Sequence, residues 1–183
     1  NTVAIGVESL QALTSGQGNV ALGAGTLYYE DDGDFNTALG HHALSTQAGT
    51  TGTVGNTAVG YKAGKWLTTA IKSTFIGCEA GQGIQATKLT GDHNTAIGYN
   101  AGLLLQGASD SNTLIGSLSG DAITTDTRVV AIGKGAYSAN DDTSGHDGTA
   151  GNGSGNIAIG YNSMTALAGS AALKNTAIGY ETM

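Results

Sequence analysis

The sequence predicts an all-β protein, a parallel β-solenoid (β-roll) of about ten rungs with two short strands in each. Three observations carry that prediction. A phrase of Asn-Thr-Ala-Ile-Gly type occurs ten times, its closing glycines return at a near-regular interval, and proline is absent while Gly makes up 31 of the 183 residues. Self-similarity at a period of about 20 residues is the signature of rungs that cannot bury an apolar face alone and stack to share one.

The closing glycines are Gly6, Gly23, Gly40, Gly60, Gly77, Gly98, Gly116, Gly133, Gly160 and Gly179, spaced by 17, 17, 20, 17, 21, 18, 17, 27 and 19 residues. Ile, Leu or Val precedes each of them. Two residues earlier stands Thr in six copies and Val or Ile in four, and the position between is Ala except at Phe75 and Leu114. Seven copies place Asn just before the Thr or Val: Asn19, Asn36, Asn56, Asn94, Asn112, Asn156 and Asn175. Alternation at period two defines a short strand, with Thr or Val and Ile on one face and Ala on the other. The glycine ends the strand where the chain turns with positive φ.

Beyond the glycine, a small residue follows at the third position of every copy (Ser9, Thr26, Ala43, Ala63, Ala80, Ala101, Ser119, Ala136, Ser163, Thr182). An aliphatic one follows at the seventh in six (Leu13, Leu67, Ile84, Leu105, Ile123, Leu167), which is read as a second strand. Ten rungs at about 4.8 Å give a rod roughly 45–50 Å long. The Asn side chains are expected at equivalent corners, bonded to turn backbone or to the next Asn. Length variation falls in turns near 48–54, 88–93 and 138–154.

Each strand has two unequal faces, and the expectation is that Ile points inward. That leaves the alanines (Ala4, Ala21, Ala38, Ala58, Ala96, Ala131, Ala158, Ala177) as an outward stripe buried against neighbouring copies of the chain. The chain opens mid-pattern at Asn1 and ends four residues after its last strand, so residues 1–183 are expected to be a single solenoid domain within a longer fibrous protein.

Net charge is −7, and the seven Lys and Arg residues are scattered, which disfavours nucleic acid and anionic membranes as partners. No segment approaches the apolar length of a membrane span, so no membrane insertion is expected. Cys78 is the only cysteine and has no metal-type or redox partner in the sequence. No acid, base or nucleophile recurs in a catalytic arrangement, and no Gly-rich loop precedes a helix, so neither an enzyme nor a cofactor is expected.

The densest acidic run, Glu30, Asp31, Asp32 and Asp34, is the sequence's weak candidate for a hard-cation site. Its spacing fits neither an EF-hand nor a calcium nonapeptide repeat, and a solvated turn is the plainer reading. His41 and His42 occupy variable turn positions where a ring of histidines about an axis would offer metal ligands, against the plainer reading of solvated side chains. Asn140, Asp141, Asp142, His146 and Asp147 lie in the longest insertion, a candidate contact loop or a simple connection. Tyr61, Tyr99, Tyr161 and Tyr180 follow their glycines at one slot, suited to packing on neighbouring rungs or to stacking on glycans. Trp66 suits either use.

The phrases at 94–102, 56–64 and 112–120 resemble repeats of two groups. One is the head domain of trimeric autotransporter adhesins, which residues 2–6 and 130–133 also resemble; the other is the shaft of bacteriophage tail fibres. The resemblance implies a homotrimer, a left-handed roll and an extracellular place on a virion or a bacterial surface, with a host-surface glycan or protein as partner. The repeats are longer than those of adhesin heads and carry Thr in most strands, which favours the tail-fibre phrase. An ice-binding solenoid is the remote alternative, suggested by the Thr column and opposed by the Ile that shares its face.

Overall fold

The computed structural model describes residues 1–138, 155–165 and 174–182. Its strands are β1 (Val3–Ile5), β2 (Val20–Leu22), β3 (Gly33–Asp34), β4 (Thr37–Leu39), β5 (Gly52–Thr53), β6 (Thr57–Val59), β7 (Thr74–Ile76), β8 (Thr95–Ile97), β9 (Thr113–Ile115), β10 (Val130–Ile132), β11 (Ile157–Ile159) and β12 (Thr176–Ile178). The ten copies of the repeated phrase form one parallel sheet in the order β1-β2-β4-β6-β7-β8-β9-β10-β11-β12. They pair slot for slot, as in Thr57 with Thr74, Ala58 with Phe75 and Val59 with Ile76. The chain is an all-β parallel solenoid, as the repeat predicts.

The second strand of each rung exists only in fragments. β3 pairs with β5, and single bridges join Leu67 to Leu89 and Leu89 to Gly107. The wall opposite the sheet is instead a turn in which the second and fourth residues after the glycine take positive φ, as at His42 (58°) and Leu44 (49°). The backbone still bonds between rungs there. The His42 N–H donates to Ala24 O at 2.9 Å, while the Leu44 N–H donates to Ala63 O at 3.0 Å, so the two serve opposite neighbours. A left-handed leucine costs on the order of 1–3 kcal/mol. The bonds above and below hold it there, together with burial of its side chain. At the seventh-residue slot, Leu67, Leu105 and Ile123 are buried, Leu13 packs at the core's margin and Ile84 is half-buried; Leu167 lies outside the described residues.

Insertions fall where the repeat lengths place them. The one near 48–54 carries β5 and buries Val54, and the one near 88–93 buries Leu89. Of the third, only Ser138 is described; residues 139–154, with Asn140, Asp141, Asp142, His146 and Asp147, lie outside.

The structure reverses the expected strand orientation. Ala21, Ala38, Ala58, Ala96, Ala131, Ala158 and Ala177 point inward and are buried; only Ala4, in the end rung, is exposed. Ile and Thr point outward. Because Thr and Ile share a face, turning Ile inward would also bury a column of Thr hydroxyls without partners, at a cost of about 1–3 kcal/mol each. The inner gap is also narrow, and it is already occupied by side chains from the opposite wall. The inward alanines are therefore core and cannot be the surface that meets another chain.

That thin core explains the two exceptions in the Ala column. The fourth residue after the glycine faces the strand across the interior. It is Leu in rungs where the strand offers Ala (Leu10, Leu27, Leu44), and Gly around Phe75 and Leu114 (Gly64, Gly81, Gly102, Gly120). A Cβ on Gly64 would lie 2.9 Å from the Phe75 ring, and one on Gly120 would lie 2.7 Å from Leu114 Cδ2. Large side chains from either wall fill the gap, and beside Gly64 it is Leu44 and Phe75 of the neighbouring rungs that do so.

Two columns set the register. The strand-closing glycines have φ near +130°, and a Cβ on Gly98 would meet Gly116 O of the next rung at 2.5 Å, so rungs stack at this distance only with glycine there. At the Asn slot, each buried side-chain oxygen accepts the backbone N–H of the same slot one rung on. Asn19 Oδ1 accepts from Asn36 (2.8 Å), Asn36 from Asn56 (3.0 Å), Asn56 from Ser73 (2.8 Å), Asn94 from Asn112 (3.1 Å) and Asn112 from Val129 (2.9 Å). Ser73 continues the chain through its hydroxyl, which accepts the Asn94 N–H at 3.1 Å. The side-chain amides donate back into turns, as Asn94 does to Gly91 O and Ser109 O.

Phe75→Ala is expected to lower stability by about 3–5 kcal/mol, and Phe75→Ala with Gly81→Leu to recover a large part of it by restoring the Ala-with-Leu arrangement of other rungs. Equal losses in denaturant melts of the two variants would refute the exchange. Asn94→Val is expected to cost about 1–3 kcal/mol for each buried group it orphans, and a melt within a few tenths of the parent would show that the column is not holding the rungs.

Candidate interaction surface

The outward face of the ten-stranded sheet carries two strand columns. One holds Val3, Val20, Thr37, Thr57, Thr74, Thr95, Thr113, Val130, Ile157 and Thr176, the other Ile5, Leu22, Leu39, Val59, Ile76, Ile97, Ile115, Ile132, Ile159 and Ile178. No residue in either column is charged. Just past the glycines, Tyr61, Tyr99, Tyr161 and Tyr180 extend the strip on one side. Ladder packing shields each side chain in part, so Ile76, Ile115 and Ile132 in the middle are 36–38% exposed while Ile178 in the end rung is 66% exposed.

With ten strands about 4.8 Å apart and some five residues of width at about 3.3 Å each, the strip covers on the order of 700 Å². It approaches the roughly 800 Å² that one partner contributes to a standard interface. The sheet's main-chain groups are already paired between neighbouring rungs, so what it offers a partner is its side chains.

The tyrosines stay exposed, and two rung-to-rung stacks form in this column: Tyr161 on Tyr180 with ring centres 5.1 Å apart, and His41 on Tyr61 at 5.8 Å. His42 turns away onto Gly25, where a Cβ would collide with its ring. Burial lowers its pKa, with further contributions from His41 and Lys65. Cys78 is free and exposed in the tyrosine slot.

The acidic run does not converge. Glu30 turns into the protein, where its Oε1 accepts the Gly33 N–H at 2.7 Å and its Oε2 lies 3.4 Å from Asn36 Nδ2. Asp31 accepts the N–H of Asp32, Asp32 the hydroxyls of Thr14 and Ser15, and Asp34 the N–H of Gln17. Among the described residues, no three His, Cys, Asp or Glu side chains come together as metal ligands. Burial pushes the Glu30 carboxyl above its ordinary range, and the Ser15 and Thr14 hydroxyls hold Asp32 below its own. The run is a set of turn fasteners.

No protein-family model, curated protein or solved structure matches this chain.

Because the folded state binds the Glu30 proton more readily than the unfolded chain does, this residue's contribution makes stability fall as pH rises above about 4.5. Asp32 acts in the opposite sense, and only as the pH falls below 3.8. Glu30→Gln is therefore expected to flatten the pH dependence of the melting temperature above about pH 4.5. Added Ca²⁺ is expected to leave the melt unchanged, and a saturable rise with Ca²⁺ would contradict the fastener reading.

Proposed function

We propose that this chain is a structural segment of a bacteriophage tail fibre, a rigid extracellular shaft on the virion surface that serves host attachment, assembled as a homotrimer through the outward Thr/Ile face. The observation that carries the reading is the pair of uncharged strand columns, Thr or Val beside Ile, running the length of a rod whose backbone is bonded from rung to rung. A long strip of similar rungs offers copies of the chain the same kind of contact at each level around a common axis. The number three and the virion setting rest on the resemblance of the repeats, and the longer, Thr-bearing phrases favour this over the head domain of a bacterial trimeric surface adhesin. The role is mechanical and adhesive rather than catalytic.

A second reading has one observation in its favour: the Thr column faces outward, with Thr37, Thr57 and Thr95 partly exposed at strand spacing. A regular hydroxyl column on a flat sheet is a surface on which water orders, as in an ice-binding solenoid. The adjoining Ile column makes burial against another chain the stronger use of the same face.

Sedimentation equilibrium is expected to give three times the chain mass of 18.1 kDa. Ile97→Lys together with Ile115→Lys is expected to yield monomers that keep the parent's far-ultraviolet circular dichroism. A monodisperse parent monomer would overturn the trimer, and thermal hysteresis from that monomer would establish the ice-binding reading in its place.

A further inference from the structure

Away from the sheet face, the sixth residue after each strand-closing glycine forms a column of its own. It is small at Ala12, Gly83 and Ala122 and Leu at Leu104, but Tyr29 and Trp66 stand in it two rungs apart with Thr46 between them. Rung spacing sets the backbones of the two aromatic residues about 10 Å apart. The result is a groove of two overlapping lobes, about 310 and 340 Å³, both lined by Tyr29, Thr46, Trp66 and Gln85. Each lobe is at the lower end of the size range of small-ligand sites.

The groove is built rather than incidental. Thr46 is held to its floor, with Oγ1 2.7 Å from Lys65 O and 2.8 Å from Leu67 O. The walls rise from adjoining rungs of a hydrogen-bonded stack, so little ordering is needed on binding. None of the lining residues belongs to the strand columns, so the groove does not compete with the Thr/Ile face.

Its charge runs against that of the chain. With a net charge of −7 and seven cations in all, the protein still places one lysine at each lobe, Lys88 and Lys65. Neither is ion-paired among the described residues. Lys65 Nζ lies 4.4 Å from the centre of the Trp66 ring, a cation over an aromatic face. Glu8 is the only carboxylate on the lining, at one end. Rings flanking a slot, an exposed amide and unpaired ammonium groups suit a ligand with an apolar C–H face, hydroxyls at its rim and a negative charge. A polyphosphate chain is a poorer fit, because nucleic acid requires a basic track that this acidic surface lacks.

We propose that the groove binds an acidic saccharide: one sugar ring packed between Tyr29 and Trp66, its hydroxyls bonded by Gln85, and its carboxylate facing Lys65 and Lys88. The inference stands apart from the fibre reading, since it needs neither a trimer nor a virion.

Trp66 is the only tryptophan, so its emission reports on the groove directly. The full chain is titrated with trigalacturonate, 3′-sialyllactose, neutral lactose and an oligothymidylate. A saturable emission change is expected with at least one acidic sugar, and which one responds identifies its source. Lactose is expected to bind at least about tenfold more weakly. Lys65→Ser with Lys88→Ser is expected to remove that preference, and Tyr29→Ala, at an exposed site, to weaken binding without changing the circular dichroism. The proposal is overturned by no saturation with either acidic sugar, by equal binding of lactose, by a response to oligothymidylate alone, or by an undiminished preference in the double lysine variant. A failed trimer in sedimentation leaves these outcomes untouched, so the two readings fail separately.

Discussion

A side-chain carbonyl in one rung accepts the backbone N–H of the same slot in the next, and the rest of the solenoid depends on that bond. A parallel sheet of three-residue strands has few main-chain bonds with which to specify register, and a slip of one residue would exchange its faces. The Asn column removes the ambiguity. Asn36 receives nothing useful from a slipped neighbour, because its oxygen is aimed at the N–H of Asn56 and its own N–H at the oxygen of Asn19. Ser73 shows what the slot requires, since its hydroxyl accepts the next N–H just as an amide oxygen does. With that corner and the glycine corner pinned, the chain between them is free to vary in length, and it does so from 17 to 27 residues.

Pinned corners also fix how wide the interior is, and the width decides which residues enter it. The gap between the sheet and the opposite wall has room for a large side chain from one wall only, which at some levels comes from a neighbouring rung. A wall of alternating positive-φ residues supplies Leu27 and Leu44 where the strand has alanine, and withdraws to Gly64 and Gly81 where the strand has Phe75. The same narrowness expels Thr and Ile to the outside. An apolar sheet face is thus a consequence of a thin core, before any partner is considered.

This separates what could be read from the repeat and what could not. Strand position, the positive φ of the closing glycine and the Asn corner follow from local chemistry, and all three are visible in a list of spacings. The inward face is not. Period-two alternation says that Thr and Ile oppose Ala, but the sign of that opposition depends on the far wall, and hydrophobicity alone points to Ile. The deciding signal was present at the fourth residue after each glycine, which is large (Leu10, Leu27, Leu44, Tyr137, Met164) away from Phe75 and Leu114 and glycine (Gly64, Gly81, Gly102, Gly120) in the rungs that hold or adjoin them. It is a correlation between walls, invisible to a scan of one strand at a time. Tyr29 and Trp66 escaped for a similar reason. Each is a lone aromatic in its own turn, and only the stacking of rungs puts them in one column.

The two outward surfaces differ in kind, and that difference is an argument about what each is for. The sheet face repeats rung after rung without charge, so any contact that suits one rung suits the others, which is the property of a surface that meets copies of itself. The groove occurs where two aromatic residues stand two rungs apart in one turn column, and two of an acidic chain's seven cations line it. A surface repeated ten times recognises repetition; a surface made once recognises something that is not part of the repeat. In the proposed arrangement, the same corners that lock the rungs together let a rod built for length carry a site built for discrimination, because an exposed side chain in the sixth-residue column, such as Tyr29, lies outside both the Asn and glycine corners and the core.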